Sequence, residues 1–214
     1  VFCGMASYGL QLAQTAERMG FDLANSTVTT FLTAAEPVSP GKRERIEKLW
    51  GAELYDQFGC TETSFMASES NRHDGMHFWT DMFDLEVIDE KTKEPVPNGH
   101  NGIMVTTPYW NNEMTPFLRW ETGDYVSYHE NGETDGPLSV YPMIRHAART
   151  SGFIKVRGIN INHADFEDFM HRRFEITDFK VEVEETESLD LIRVSIEVSN
   201  TSDSDATVGA LRAD

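Results

Sequence analysis

The sequence predicts an α/β fold in which a largely parallel α/β layer leads into a β-rich part and then a small α+β domain. Three observations predict it. Helix-like and strand-like patterns alternate up to Tyr55; short runs bounded by turn residues take over from Gly75; and beyond Arg149 one helical stretch is flanked by alternating strands.

The elements follow in order. Met5, Leu12, Ala16 and Met19 recur at helical spacing, and Gly20 supplies the left-handed stop that ends many helices, so Met5–Met19 reads as an amphipathic helix. Thr27–Thr33 is β-branched and bounded by polar residues, as a buried strand is. Pro40 suits a first helical turn and opens a second helix through Trp50, with Glu53–Tyr55 as the next strand. Strands are then expected at His77–Trp79, Asp84–Asp89, Gly102–Thr107 and Tyr125–His129, with a turn-rich break at Pro95–Gly99. Further on come a strand pair around Phe153–Val156, a helix over His163–Arg173, and strands at Asp178–Glu184 and Leu191–Val198. The run after Ser199 is a loop, and Ala206–Ala213 starts another helix.

At 214 residues, 39% hydrophobic, the chain can bury a core in one or two domains. No apolar run is long enough for a membrane helix, and Val1-Phe2-Cys3-Gly4 lacks the basic and apolar parts of a signal peptide. Cys3 and Cys60 are far apart with no His cluster near them, which indicates neither a zinc knuckle nor a disulfide scaffold and fits a reducing cytoplasm. A net charge of −18 opposes binding to nucleic acid or anionic lipid. A polyanionic small ligand needs only local compensation, and Arg145, Arg149, Lys155 and Arg157 lie within one short segment, which is equally a solvated basic strip. Both ends read as cuts.

Three segments carry possible chemistry. Tyr55-Asp56-Gln57-Phe58-Gly59-Cys60-Thr61-Glu62 follows an expected parallel strand, and ligands in such sheets sit beyond the carboxyl ends of strands. A hydroxyl and a carboxylate there suit a phosphate and its metal, though alone this is also a turn with a capping Thr and Glu. In Phe117-Leu118-Arg119-Trp120-Glu121-Thr122-Gly123-Asp124, a carboxylate held by a tight Gly turn is a good acceptor for two ribose hydroxyls, or an ordinary Gly-Asp turn. From Ala148 to Asn160, basic residues alternate along a strand and share one face.

Taken together, in this order and spacing, the segments resemble the adenylate-forming acyl-CoA ligases, with phenylacetate-CoA ligase as the nearest type. That family has a Tyr-Gly-x-Thr-Glu turn, an Arg-x-x-Thr-Gly-Asp turn and a Gly-Arg-x-Asp-Asp-x-x-x-x-Arg-Gly hinge. The chain offers Phe58-Gly59-Cys60-Thr61-Glu62, Arg119-Trp120-Glu121-Thr122-Gly123-Asp124, and Ala148-Arg149-Thr150-Ser151-Gly152 through Arg157-Gly158. Ala34-Ala35-Glu36-Pro37, Met76-His77-Phe78-Trp79 through Glu86-Val87-Ile88-Asp89, and Gly158-Ile159-Asn160-Ile161 also resemble the connecting pieces, so the likeness runs from about Ser7 to Val198.

The resemblance implies residues 1–149 as the C-terminal part of the large adenylate-forming domain, with its β-rich subdomain at about 75–147, and 150–214 as a small mobile domain, truncated. It implies ATP and AMP, Mg2+ and CoA as ligands, with a small carboxylic acid, aryl or arylacetic, as substrate. Thr61 would contact the α-phosphate and Glu62 would hold the metal. Asp124 would take the ribose hydroxyls with help from Arg149; Ala35, Glu36 and Pro37 would border the adenine, with Tyr55, Asp56, Gln57, Phe58 and Gly59 opposite. Ser151 would act at the hinge, and Gly158 and Asn160 beside the CoA channel. Charge building on the activated phosphate suits such positioning.

Phe58 stands where the family has Tyr, Ala148 where it has Gly, and Ser151-Gly152 where it has the Asp pair. The family's Ser/Thr/Gly-rich phosphate loop and its catalytic Lys have no counterpart, and Lys155 and Arg157 lie in the wrong motif to replace that Lys, so the chain alone is expected to be inactive. An adenylation domain loading a carrier-protein thiol and a non-catalytic nucleotide-binding remnant are the alternatives. A face left bare by the absent half would favour self-association, making a homo-oligomer possible.

Overall fold

The structure, a computed structural model, describes residues 1–110, 113–130, 132, 136–149, 153–156, 159–184, 191–199 and 204–211; for 147–149, 153–156, 159–164, 184, 191, 204 and 205 it describes the backbone alone. Two compact units emerge. One comprises Val1–Ala6, Val28–Glu36 and Glu53–Gly152, the other Ser7–Thr27, Pro37–Ala52 and Phe153–Asp214. Chain order and compact units therefore do not coincide, because the first two helices fall with the C-terminal elements.

The first unit is built on one nine-stranded sheet. Strands β1 (Phe2–Cys3), β2 (Thr30–Ala34) and β3 (Glu53–Cys60) pair in parallel, with Phe31 opposite both Phe2 and Leu54. The remaining pairs are antiparallel: β4 (Ser64–Glu69), β5 (Met76–Phe78), β6 (Phe83–Ile88), β7 (Asn101–Pro108), β8 (Trp120–His129) and β9 (Met143–Arg149) complete the order β1-β2-β3-β4-β5-β9-β8-β7-β6. The expected parallel layer is thus confined to three strands and continues without a break into the β-rich part. Alternation divides the side chains between the two faces. Met66, Ala67, Phe78, Phe83, Val87, Met104, Val126 and Ile144 form the main core, and Ile88, Ile103 and Val105 a smaller one.

The second unit holds α1 (Ala6–Arg18, its first residue assigned to the other unit), α2 (Pro40–Trp50), the pair β10 (Phe153–Val156) and β11 (Ile159–Asn162), α3 (His163–His171), the pair β12 (Ile176–Glu184) and β13 (Leu191–Val198), and α4 (Ser204–Leu211). Local chemistry explains α2: Ser39 caps its start by accepting from the Lys42 N–H at 3.2 Å, Pro40 occupies the first turn, and Gly51 closes it at φ 59°. Its sequence is mostly charged, yet Lys42 and Arg45 are buried against α3 and the segment that follows. The Gly41 N–H donates to Asp168 Oδ1 at 2.7 Å, Lys42 Nζ pairs with Glu167 at 3.1 Å, and the Arg45 guanidinium donates to the carbonyls of Arg173, Phe174 and Ile176. The apolar face expected on α1 is corrected. Ala6, Gly9 and Ala13 are the buried positions, while Met5, Leu12 and Met19 are exposed. Small residues face inward because a neighbouring element comes close: Trp50 Nε1 of α2 donates to the Gly9 carbonyl at 3.0 Å.

Candidate nucleotide site

The first candidate segment is strand for longer than expected. β3 runs to Cys60, and only Thr61, Glu62 and Thr63 make the turn into β4, a strand the sequence reading missed. The turn is anchored from inside. Thr63 is fully buried, its hydroxyl 2.9 Å from Cys60 Sγ and donating to Met66 Sδ at 3.0 Å, and its N–H donates to the Cys60 carbonyl. With Thr63 turned inward, Thr61 is left exposed and Glu62 partly exposed. Burial also pushes the Cys60 thiol above its ordinary pKa, which favours its protonated form.

Alternation splits the rest of β3. Asp56 and Phe58 take one side, Tyr55 and Gln57 the other. The Tyr55 ring rests on His73 with centroids 4.9 Å apart, and His73 is clasped by Glu53 and Glu69, each at 3.2 Å. Glu69 also accepts from the Asp56 N–H at 2.9 Å, holding the backbone of the candidate segment. Phe58 packs against the main core. Ala35 follows β2 at φ 73°, a left-handed conformation unusual for a residue with a Cβ, and lies exposed beside a partly buried Glu36 and an exposed Pro37.

The second segment corrects the expected turn. Glu121 to Asp124 lie inside β8, where Glu121 pairs with Val105 and Tyr125 with Ile103, so three residues stand opposite Met104 alone. This is a bulge, and Gly123 at φ 80° makes it. Thr122 Oγ1 fixes it by donating to the Met104 carbonyl at 3.4 Å and accepting from the Asp124 N–H at 3.2 Å. Arg119 is drawn elsewhere, making two bonds to Glu86 at 2.8 and 2.9 Å.

On its other side β8 meets a second irregularity. Val126 pairs with His146, yet Tyr125 pairs with Ala148 and Asp124 with Arg149, so Ala147 is an extra residue in β9. Two bulges therefore flank Asp124, which is 1% exposed. His146 Nε2 donates to Asp124 Oδ1 at 3.1 Å, and the His146 ring meets Phe58 with centroids 5.9 Å apart. In a flat sheet the three steps from β3 to β9 would span about 14 Å, so the contact requires the sheet to curl around its core. His146 thus joins Phe58 to Asp124, and the backbone register sets Arg149 opposite Asp124. Sequence reasoning missed His146; its only sequence signal is an imidazole three residues before Arg149.

Other candidates fall out differently. Arg145 of the basic segment donates to the Asp74 carbonyl at 2.6 Å. Asn160 lies in β11 opposite Lys155. Ser151, Arg157 and Gly158 lie outside the described residues, as do the side chains of Arg149, Lys155 and Asn160. No cluster of three or more metal-ligating side chains occurs among the described residues, and no helix among them is long and apolar enough to cross a membrane.

The fold is that of the adenylate-forming CoA ligases. It superposes on 2-hydroxyisobutyryl-CoA ligase, solved in the postadenylation state with an acyl-AMP, with a TM-score of 0.84 at 24% identity, over 99% of this chain and 46% of that one. In sequence the chain is similar to phenylacetate-coenzyme A ligases, being 26% identical to that of Aromatoleum evansii over 197 residues and 27% identical to that of Pseudomonas putida over 199. Each match covers 90% of this chain and 44% of the relative, so the chain spans less than half the length of the curated relatives it matches. No family model matches the chain.

Proposed function

We propose that the whole protein is an AMP-forming carboxylate–CoA ligase acting on an aryl or arylacetic acid in the cytoplasm, and that this chain carries its nucleotide-gripping elements. One observation carries the reading: Asp124, a buried carboxylate seated between two strand bulges, is held by His146 and lies in register with Arg149. The names of the relatives support the reaction class and the aromatic acid.

In this reading a carboxylate oxygen attacks the α-phosphorus of ATP and pyrophosphate leaves; the CoA thiolate then attacks the acyl carbon and AMP leaves. Asp124 accepts from the ribose hydroxyls, with Arg149 beside it. Ala35, Glu36 and Pro37 border the adenine on one side, and the Tyr55–Gly59 stretch, above all Phe58, on the other. Thr61 donates its exposed hydroxyl to an α-phosphate oxygen as negative charge grows there. Glu62 fits Mg2+, which commonly takes one or two protein carboxylates and completes its shell with substrate phosphates and water; the ion supplies charge neutralisation when bound. Gly158 and Asn160 flank the CoA channel, and Ser151 belongs to the hinge.

The test is turnover by the full-length protein with ATP, CoA and a panel containing phenylacetate, benzoate and 2-hydroxyisobutyrate. Acid-dependent release of AMP and pyrophosphate, fastest with an aromatic acid, is expected. Formation of ADP, or no AMP with any acid, would overturn the reading, and equal turnover of the aliphatic acid would overturn the aromatic preference.

A further inference from the structure

We infer that His146 is a positioning residue that couples the base-facing ring of Phe58 to the ribose-facing carboxylate of Asp124; the inference rests on the nucleotide-site reading above. Three geometric facts carry it. The Asp124 carboxylate is almost entirely shielded from water, so its orientation is set by protein donors, and His146 Nε2 at 3.1 Å is one of them. The imidazole is itself held, since its ring meets Phe58 at 5.9 Å with a 44° tilt. His146 is paired with Val126, two residues from Asp124 along β8, so the two side chains are diagonal neighbours across the β8–β9 pair, while the extra residue Ala147 sets Arg149 opposite Asp124.

The coupling has a chemical consequence. A ribose held by a carboxylate is recognised through the direction of the acceptor oxygens, and a carboxylate free to turn spreads that acceptance over several rotamers. His146 restricts the carboxylate to one of them and braces the ring that packs on the base. A ligand with a purine and a ribose bearing both hydroxyls gains from both effects, whereas pyrophosphate and the acid gain from neither. His146 touches no reacting atom, so its contribution belongs to nucleotide affinity and not to the chemical steps.

Three variants of the full-length protein separate the parts. His146→Phe keeps an aromatic ring and removes the donor, His146→Gln keeps a donor at similar reach without the ring, and His146→Ala removes both. AMP and 2′,3′-dideoxy-AMP binding by calorimetry, with ATP turnover alongside, give the readouts. In the unmodified protein AMP should bind about ten-fold more tightly than the dideoxy compound, the scale of one directed hydrogen-bonded contact. In His146→Phe that preference should fall to about two-fold or less, with KM for ATP rising and kcat little changed. His146→Gln should recover most of it, and His146→Ala should lose affinity for both nucleotides. Melting temperatures identify any variant that fails to fold, and the Gln variant keeps the test open if Ala does so. An undiminished preference in His146→Phe overturns the coupling while leaving the nucleotide site intact. Absence of AMP binding to the unmodified protein overturns the site reading and the coupling with it.

Discussion

A Cβ on Gly59 would stand 2.3 Å from the carbonyl oxygen of Ser64 and 2.8 Å from the Phe65 Cα. The hairpin that presents Thr61 and Glu62 therefore closes directly onto a glycine, and Met66 is the extra residue in β4 where the register shifts beside it. Gly59→Ala must push the β4 backbone away, since main chain has no rotamer through which to retreat. We expect a loss of about 1–3 kcal/mol, typical of overpacking against fixed atoms. Urea denaturation checks it, and an unchanged midpoint would show that the turn is more yielding than this close approach implies.

The opposite sign is expected at Ala35. Its φ of 73° places a residue with a Cβ in the left-handed region, which costs about 1 kcal/mol for residues other than glycine. Ala35 is exposed at the end of β2, so its methyl group adds little packing to offset that cost. Ala35→Gly should stabilise by about 0.5 kcal/mol, less than the strain itself because the unfolded chain gains freedom. A lower melting temperature would mean that the methyl group makes contacts worth more than the strain.

How much of this was legible in the sequence depends on how local each signal is. α2 was readable because Ser39, Pro40 and Gly51 act on their own neighbourhood, and the hairpin strands β12 and β13 because alternation is carried within each. β4 was hidden because it begins right after a three-residue turn whose Thr and Glu resemble a loop. The bulges at Gly123 and Ala147 depend on what lies across the sheet, and no window of one strand contains that information. His146 was overlooked for the same reason, since its place beside Asp124 exists only once β9 has paired with β8. On α1 the local pattern misled: Met5 and Leu12 have the right spacing, but close approach of Trp50 to Gly9 selected the face of small residues. The three candidate segments were legible as motifs, while their division between the faces of β3 was not.

Lys42 and Glu167 form a pair whose side chains are 4% and 17% exposed. Removing one partner leaves a charge buried without its counterion, which costs more than the pair contributes. Glu167→Leu should lose about 2–3 kcal/mol, whereas Lys42→Met combined with Glu167→Leu should lose clearly less. Chemical denaturation of the two singles and the double gives the coupling. If the double variant is as unstable as the sum of the singles, the pair is energetically independent despite its 3.1 Å geometry.

The same helix pairing sets an acid limit on stability through His171. Burial, then the nearby positive charges of Lys42 and Arg45, lower its pKa from 6.5 to about 4. A base whose pKa is depressed in the folded state binds its proton more readily when unfolded, so stability rises with pH across the interval between the two values. The contribution is therefore fully present above pH 6.5, declines as the pH falls, and is gone below about 4. The ideal slope is about 1.4 kcal/mol per pH unit; because the imidazole is only partly shielded, solvent screening reduces the total to roughly 1–2 kcal/mol. Replacing His171 with Gln should flatten the stability profile over this interval. Lys42→Met should narrow it from the acid side, since one of the charges that opposes protonation is gone while burial remains. Urea midpoints at pH 7.5, 6 and 5 for the three proteins test both statements, and parallel profiles would rule out His171 as the titrating group.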